Sequence, residues 1–267
     1  MEKLNVIKIG GNCVDDPQDL KLFLANFSTI TGAKILVHGG GKIATELAVK
    51  LGIAQKMIDG RRVTDTQTLD IAVMVYAGRI NKNVVAQLQA KNCNAMGFSG
   101  ADGNLIRSVQ RTSHPLDYGF AGDILEDGIN TGLFESLLQN GITPVVSPIT
   151  HDGKGQLLNT NADTIASKIA TALSSHYKVI LTYCFEKTGV LQDMENEESY
   201  IPILTKEGFA RLKAEGIISM GMLPKLDNAF SAIEQGVGKV TICKAQHLST
   251  INSQQVKGTQ IINEWNR

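Results

Sequence analysis

The feature that most constrains this chain is a unit that occurs twice within its first fifty residues: an apolar run, a glycine loop, then an amphipathic segment. Leu4 to Ile9 stops at Gly10-Gly11, and Ala33 to Val37 stops at His38-Gly39-Gly40-Gly41. Short apolar runs ended by glycine read as buried strands entering tight loops. After the first loop, Asp16-Pro17 has the form of an N-cap followed by proline at the first helical position, and Leu20, Phe23, Leu24 and Phe27 share one helical face. Ile43, Leu47 and Leu51 mark a second helix after the second loop. Parallel neighbours need a crossover, so this repeated order predicts a parallel sheet covered by helices.

The rhythm continues with a helical stretch from Leu69 to Ala90, a strand at Ala95 to Phe98 and a glycine-rich region from Gly100 to Gly132 that reads as hairpins. A helix near Phe134 to Gln139 leads to a strand at Thr143 to Ser147, and Asn159-Thr-Asn-Ala-Asp163 opens a helix whose Ile165, Ile169 and Leu173 share a face. Beyond Ser174-Ser175 a second α/β group begins, with strands at Lys178 to Thr182 and Lys239 to Cys243 and helices at Thr205 to Ala214 and Leu223 to Gln235. The expected architecture is an open, mainly parallel sheet sandwiched by helices, in two lobes of residues 1–174 and 175–267. The acidic cluster Asp193 to Glu198 reads as a solvated loop.

Composition narrows the function. Twenty-six basic residues balance 26 acidic ones, so no charge excess points to nucleic acid or an anionic membrane. Any anion must be met locally. Cys13, Cys93, Cys184 and Cys243 show no metal-site spacing and fit a reducing compartment, and the apolar run near the amino terminus is too short for a signal segment. A cytoplasmic enzyme without a protein-held metal is expected.

Glycine loops after buried strands let backbone N–H groups wrap phosphate oxygens while the next helix adds its positive end. Lys8, near the carboxyl end of an apolar strand, is placed to reach the ligand crevice of an open α/β sheet, although a snorkelling structural lysine has the same pattern. Gly39-Gly40-Gly41-Lys42-Ile43-Ala44 satisfies a dinucleotide-binding pattern with Asp59 at about the distance of a ribose-binding acid. However, Asp59-Gly60 more naturally makes a turn, and Gly41-Lys42 is followed by isoleucine, which excludes a P-loop. Arg61-Arg62 offers a fork for a carboxylate or, equally, a solvated hairpin pair. Capping explains one of Asn159, Asn161 and Asp163, leaving two for a ligand. Lys225 opens an amphipathic helix, where a cation and a helical amino end face the same way, although a surface lysine reads the same locally. The histidines form no hydrolase motif, and His38 reads as structural.

In order along the chain, Lys8-Ile-Gly-Gly11, Val37-His-Gly-Gly-Gly41, Gly60-Arg-Arg-Val-Thr64, Asn159 to Asp163, Gly216 to Met222 with Lys225, and Gly258-Thr259 resemble the amino-acid kinase family, and within it the branch that phosphorylates the γ-carboxylate of N-acylated glutamate in arginine biosynthesis. The resemblance implies MgATP as phosphoryl donor and a homodimer. It implies that Lys8 and Lys225 stabilise the transition state, that Asp163 orients both, and that Gly11, Gly40 and Gly41 are amide donors. Arg62 and Asn159 would hold the substrate's α-carboxylate and N-acyl group, and Gly10, Lys187, Gly189, Ser219, Met220 and Gly221 would line the nucleotide. Departures carry their own expectations. Thr182-Tyr-Cys-Phe-Glu-Lys-Thr-Gly189 replaces the shorter Asp-Val-x-Gly turn of relatives, with Lys187 or Tyr183 as substitute nucleotide contacts. Arg61 stands where relatives are commonly apolar, so it could read an extra carboxylate on the acyl group, as in N-succinylglutamate. The alternatives are a kinase for glutamate, aspartate, carbamate or UMP, a nicotinamide oxidoreductase, or a nucleotide-binding sensor without turnover.

Overall fold

The computed structural model describes residues 1–58, 61–113, 115–193, 195–218, 222–253 and 255–262. The first unit is β1 (Lys3–Ile9), the short α1 (Gly11–Asp15) and α2 (Pro17–Ser28), and the second is β2 (Ala33–His38) and α3 (Gly41–Lys50). The Asp16 carboxylate accepts from the amides of Gln18 and Asp19, and Pro17 stands in the first turn, so α2 starts where its cap dictates. Lys34, buried on β2, donates from Nζ to the carbonyls of Phe27, Ser28 and Ile30 at 3.1, 3.1 and 2.6 Å. Those acceptors lie at the end of α2, where carbonyls lack helical partners.

A hairpin of β3 (Lys56–Ile58) and β4 (Arg61–Val63) follows. Then α4 (Thr66–Ala72) runs through a π-helical stretch, Val73–Ile80, into α5 (Asn81–Gln89). After β5 (Ala95–Phe98) come β6 (Ile106–Ser113), β7 (Leu116–Ile129), α6 (Thr131–Gln139), β8 (Thr143–Val146), β9 (Ile149–His151) and β10 (Leu157–Thr160). The rest is α7 (Ala162–Leu173), β11 (Lys178–Phe185), β12 (Ile203–Leu204), α8 (Lys206–Ala214), α9 (Leu223–Glu234), β13 (Lys239–Lys244), a 3₁₀ segment Ala245–Thr250, and β14 (Thr259–Ile261).

Eight strands form one sheet in the order β12-β14-β13-β11-β1-β2-β8-β5, parallel except where β13 meets β14. The expected hairpins are present as well: β6 and β7 close with β9 and β10 into a small barrel. Because β1 is central, both its faces are buried. Leu4 and Val6 join the cluster under α7, while Ile7 and Ile9 join the cluster with Phe23, Leu24 and Phe27 of α2. Each such large side chain contributes roughly 1.5–3 kcal/mol of burial. One expected face is met in part: Ile43 and Leu47 pack half-buried against the core beside the buried Ala44 and Ala48 of α3, whereas Leu51 is 56% exposed. Small residues there let α3 pack against α1, α4 and the π-helical stretch.

Candidate active site

The site gathers at the carboxyl ends of β1, β2 and β11, where an open α/β sheet leaves a crevice. Strand alternation places Lys8 on the face shared with Leu4 and Val6, under the amino end of α7. There Lys8 Nζ lies 2.7 Å from Asp163 Oδ1, and Lys225 Nζ lies 3.1 Å from Asp163 Oδ2. The Lys8 and Asp163 side chains are 7% and 12% exposed, and that of Lys225, in the first turn of α9, is 29% exposed. Burial alone would raise the pKa of Asp163, but the charges of Lys8 and Lys225 outweigh it and hold the carboxyl below the usual range. One carboxylate therefore carries two ammonium groups and leaves an excess positive charge facing the crevice.

The triplet of candidate residues at α7 divides as capping arithmetic requires. Asn161 is the cap, its Oδ1 accepting from the Thr164 amide at 3.0 Å. Asp163 turns to the lysines. Asn159, on β10, donates from Nδ2 to Thr64 Oγ1 at 3.1 Å. Tyr183, buried on β11, donates its hydroxyl to the Asp163 carbonyl at 3.2 Å, so it anchors α7 and is not available as a nucleotide contact.

Two cavities flank this triad. The smaller, about 180 Å³, is lined among others by Gly40, Gly41, Arg62, Tyr76 and Asn159. Arg62 Nη2 donates to Gly41 O and Thr45 Oγ1, both at 2.9 Å, and its Nη1 donates to Gln55 Oε1. Arg62 is thus held by three acceptors, not a solvated hairpin charge. Gly40 adopts φ +145°, and a Cβ there would overlap Ile80 of the π-helical stretch, so only glycine fits. The π-helical turn also brings Tyr76 to the same wall and Asn81 to His38.

His38 is fully buried. Its Nδ1 donates to Gly39 O at 2.9 Å, and its Nε2 accepts from Asn81 Nδ2 at 3.2 Å. Burial pushes its pKa down to about 4, so it is a neutral brace for the loop, as its position beside the glycines implied.

The larger cavity, about 320 Å³, is lined among others by Lys8, Gly10, Gly11, Phe185, Lys187, Gly189 and Lys225. It meets the smaller one at a seam of glycines: a Cβ on Gly11 would lie 3.8 Å from the Gly41 amide nitrogen. Gly189 is packed so tightly under Thr259 that a Cβ would reach 2.9 Å from its amide nitrogen, and Thr259 Oγ1 accepts from the Val190 amide at 2.8 Å. The terminal Gly258-Thr259 motif therefore supports the crevice from below. Glu197 departs from the solvated loop expected of its cluster: it pairs with Lys187 at 3.1 Å and accepts from the Thr188 amide and hydroxyl at 3.2 and 3.0 Å. Ser219, Met220 and Gly221, expected beside the nucleotide, lie outside the described residues, as do Asp59, Gly60 and the side chain of Arg61. The dinucleotide pattern loses its context, because β3, which leads toward Asp59, pairs antiparallel with β4 instead of joining the parallel sheet.

Motif reading missed Phe185, Tyr76, Thr45 and Gln55, which reach the site from the end of β11, the π-helical stretch, α3 and the segment before β3. Alternation along β11 was the available signal for Phe185, two residues beyond Tyr183. A cavity of about 1320 Å³ lies at the opposite, amino-terminal end of the strands, beside Lys3, Lys178 and Lys239, away from this chemistry.

Residues 3–244 match the amino acid kinase family, and the chain belongs to it. It is 53% identical over 248 residues to an acetylglutamate kinase of Phocaeicola vulgatus, covering 93% of this chain and 96% of that protein. It is 50% identical over 264 residues to an acetylglutamate kinase of Cytophaga hutchinsonii, covering 98% and 99%. Its fold is similar to that of N-acetylglutamate synthase from Neisseria gonorrhoeae, with a TM-score of 0.82 at 21% identity over 98% of this chain and 60% of that one.

Proposed function

We propose that this protein is an ATP-dependent carboxylate kinase that phosphorylates the γ-carboxylate of N-acetyl-L-glutamate, or of a close N-acyl analogue, in arginine biosynthesis. The observation that carries the reading is the Lys8–Asp163–Lys225 triad set between a small pocket and a larger cleft. The full-length likeness to proteins named acetylglutamate kinase supports the acceptor.

A γ-carboxyl, with an ordinary pKa near 4.3, is already a nucleophile at neutral pH and needs no general base. The neutral, buried His38 fits that economy. In the reaction a carboxylate oxygen bonds to the γ-phosphorus of ATP while the bond to the β-phosphate bridging oxygen breaks, and ADP leaves with the electron pair. The products are an acyl phosphate and ADP. Lys8 and Lys225 offset the charge on the transferred phosphoryl, and Asp163 orients both. The amides of Gly11, Gly40 and Gly41 meet phosphoryl oxygens, Mg²⁺ arriving with the nucleotide. Arg62 would take the α-carboxylate and Asn159 the acyl amide, across a pocket whose volume of about 180 Å³ suits a small acid. Gly10, Lys187 and Gly189 line the nucleotide side. Within this reading, residues 1–174 bind the acceptor and pair in a homodimer, and residues 175–267 bind MgATP. Four free, buried cysteines support a cytoplasmic setting, and Met96, 47% exposed on edge strand β5, supports a contact with a second copy. Among the described residues no helix is long and apolar enough to cross a membrane.

Hydroxylamine trapping of the acyl phosphate tests the reading, with MgATP and, in parallel, N-acetylglutamate, N-succinylglutamate, glutamate and aspartate. Hydroxamate from an acylated glutamate alone is expected, and the preferred arm identifies the acyl group. Product from free glutamate or aspartate, or none despite ATP binding, overturns it in favour of another acceptor or a nucleotide sensor.

A further inference from the structure

Asp163 offers one negative charge to two ammonium groups, one on each of its carboxylate oxygens, in a half-buried crevice. A second electron-rich surface is present there. Lys225 Nζ lies 4.3 Å, and Lys8 Nζ 5.2 Å, from the ring centroid of Phe185, both within cation–π range. The sheet explains the placement: Lys8 pairs in register with Tyr183, and Phe185 projects from the same face of β11 one step nearer the crevice. Phe185 is itself fixed. Its ring stacks on Tyr183 at 6.1 Å and 10°, and Tyr183 holds the Asp163 carbonyl, so ring and carboxylate share one support. Gly10 packs beside the ring, and a Cβ there would press on the Cys184 carbonyl oxygen at 3.2 Å.

We propose that Phe185 is a positioning residue for both lysines: its ring face, together with Asp163, fixes where the two ammonium groups stand before a triphosphate enters. Lys225 depends on it most. Its side chain is the more exposed of the two, it stands on α9 instead of on the sheet, and the ring is closer to it. Without the ring face, Lys225 keeps one anchor, Asp163, and samples water. The catalytic consequence rests on the kinase reading above, whereas the pre-set lysine position does not.

The test uses the full chain with Phe185→Leu, Phe185→Tyr, and mono-, di- and trifluorophenylalanine at position 185, because fluorination drains the ring face while keeping its shape. In the protein without nucleotide, the Lys225 ε-methylene protons are expected upfield of ordinary lysine by the ring current and at ordinary positions in Phe185→Leu. In turnover, kcat is expected to fall stepwise by about tenfold across the fluorinated series, with KM for MgATP and for the acceptor held within about twofold and Phe185→Tyr close to the parent. An ordinary Lys225 shift in the parent, or a kcat flat across the series, overturns the proposal. If the parent transfers phosphoryl to no acylated glutamate, the kinase reading falls and the proton shift alone decides the role of Phe185.

Discussion

The two cavities beside the triad are built differently. In the smaller one the polar side chains are already engaged with one another: Arg62 with Gly41, Thr45 and Gln55, Asn159 with Thr64, and His38 with Gly39 and Asn81. In the larger one Lys8 comes from β1, but the other charged groups come from a long excursion after β11 and from the start of α9, and are tied together through Glu197 and Asp163. The first is a pre-organised socket and the second a cleft most of whose charges are held from outside the sheet. A socket selects its ligand by geometry already present, and a cleft of this kind depends on the ion pairs that hold its walls.

The sharpest way to break that contrast is to remove the carboxylate that stands between them. Asp163→Asn leaves two ammonium groups with no carboxylate and is expected to lower kcat at least about a hundredfold and stability by about 3 kcal/mol, read by steady-state kinetics and urea unfolding. Unchanged kcat would show that the lysines need no shared anchor.

A paired experiment separates the two cavities. Arg62→Leu is expected to raise KM for the acylated glutamate by about 10-fold to 100-fold and leave that for MgATP within about twofold. Glu197→Gln should do the reverse, raising KM for MgATP a few-fold only, because its ion pairs are exposed. Equal effects on both substrates from either change would erase the distinction.

Acid is expected to loosen the brace of the socket. His38 falls from an ordinary value of 6.5 to about 4 on folding, because burial disfavours its charged form. With the folded value depressed, the unfolded chain takes up the proton first. Stability is therefore full above about pH 6.5 and declines by about 3 kcal/mol as pH falls to about 4. Urea unfolding across that window should show the slope in the parent and a shallower one in His38→Gln, whatever the offset between the two proteins.

Much of the socket was legible in the chain itself. The glycine loops, the Asp16-Pro17 start of α2 and the surplus polar residues at Asn159 to Asp163 are local patterns, since caps, turns and strand alternation act over a few residues. The cleft was less legible. Nothing in the local pattern around Glu197 marks it as a partner of Lys187 and Thr188, and nothing around Leu51 says that it stays exposed while Ala44 and Ala48 are buried.

By itself, the sequence determined the parallel α/β plan and the two glycine loops at strand ends, because each follows from residue type and spacing along a short stretch, whereas Lys8, Lys225 and Asp163 stood out together only through the family resemblance. Only the tertiary structure decided that Lys8 and Lys225, 217 residues apart in the chain, share Asp163 and the face of Phe185. It likewise decided that Arg62 closes on Gly41 and that Thr259 supports Gly189. Those relations are set by which strands become neighbours in the sheet, and strand order comes from packing the whole core, not from any local run of residues.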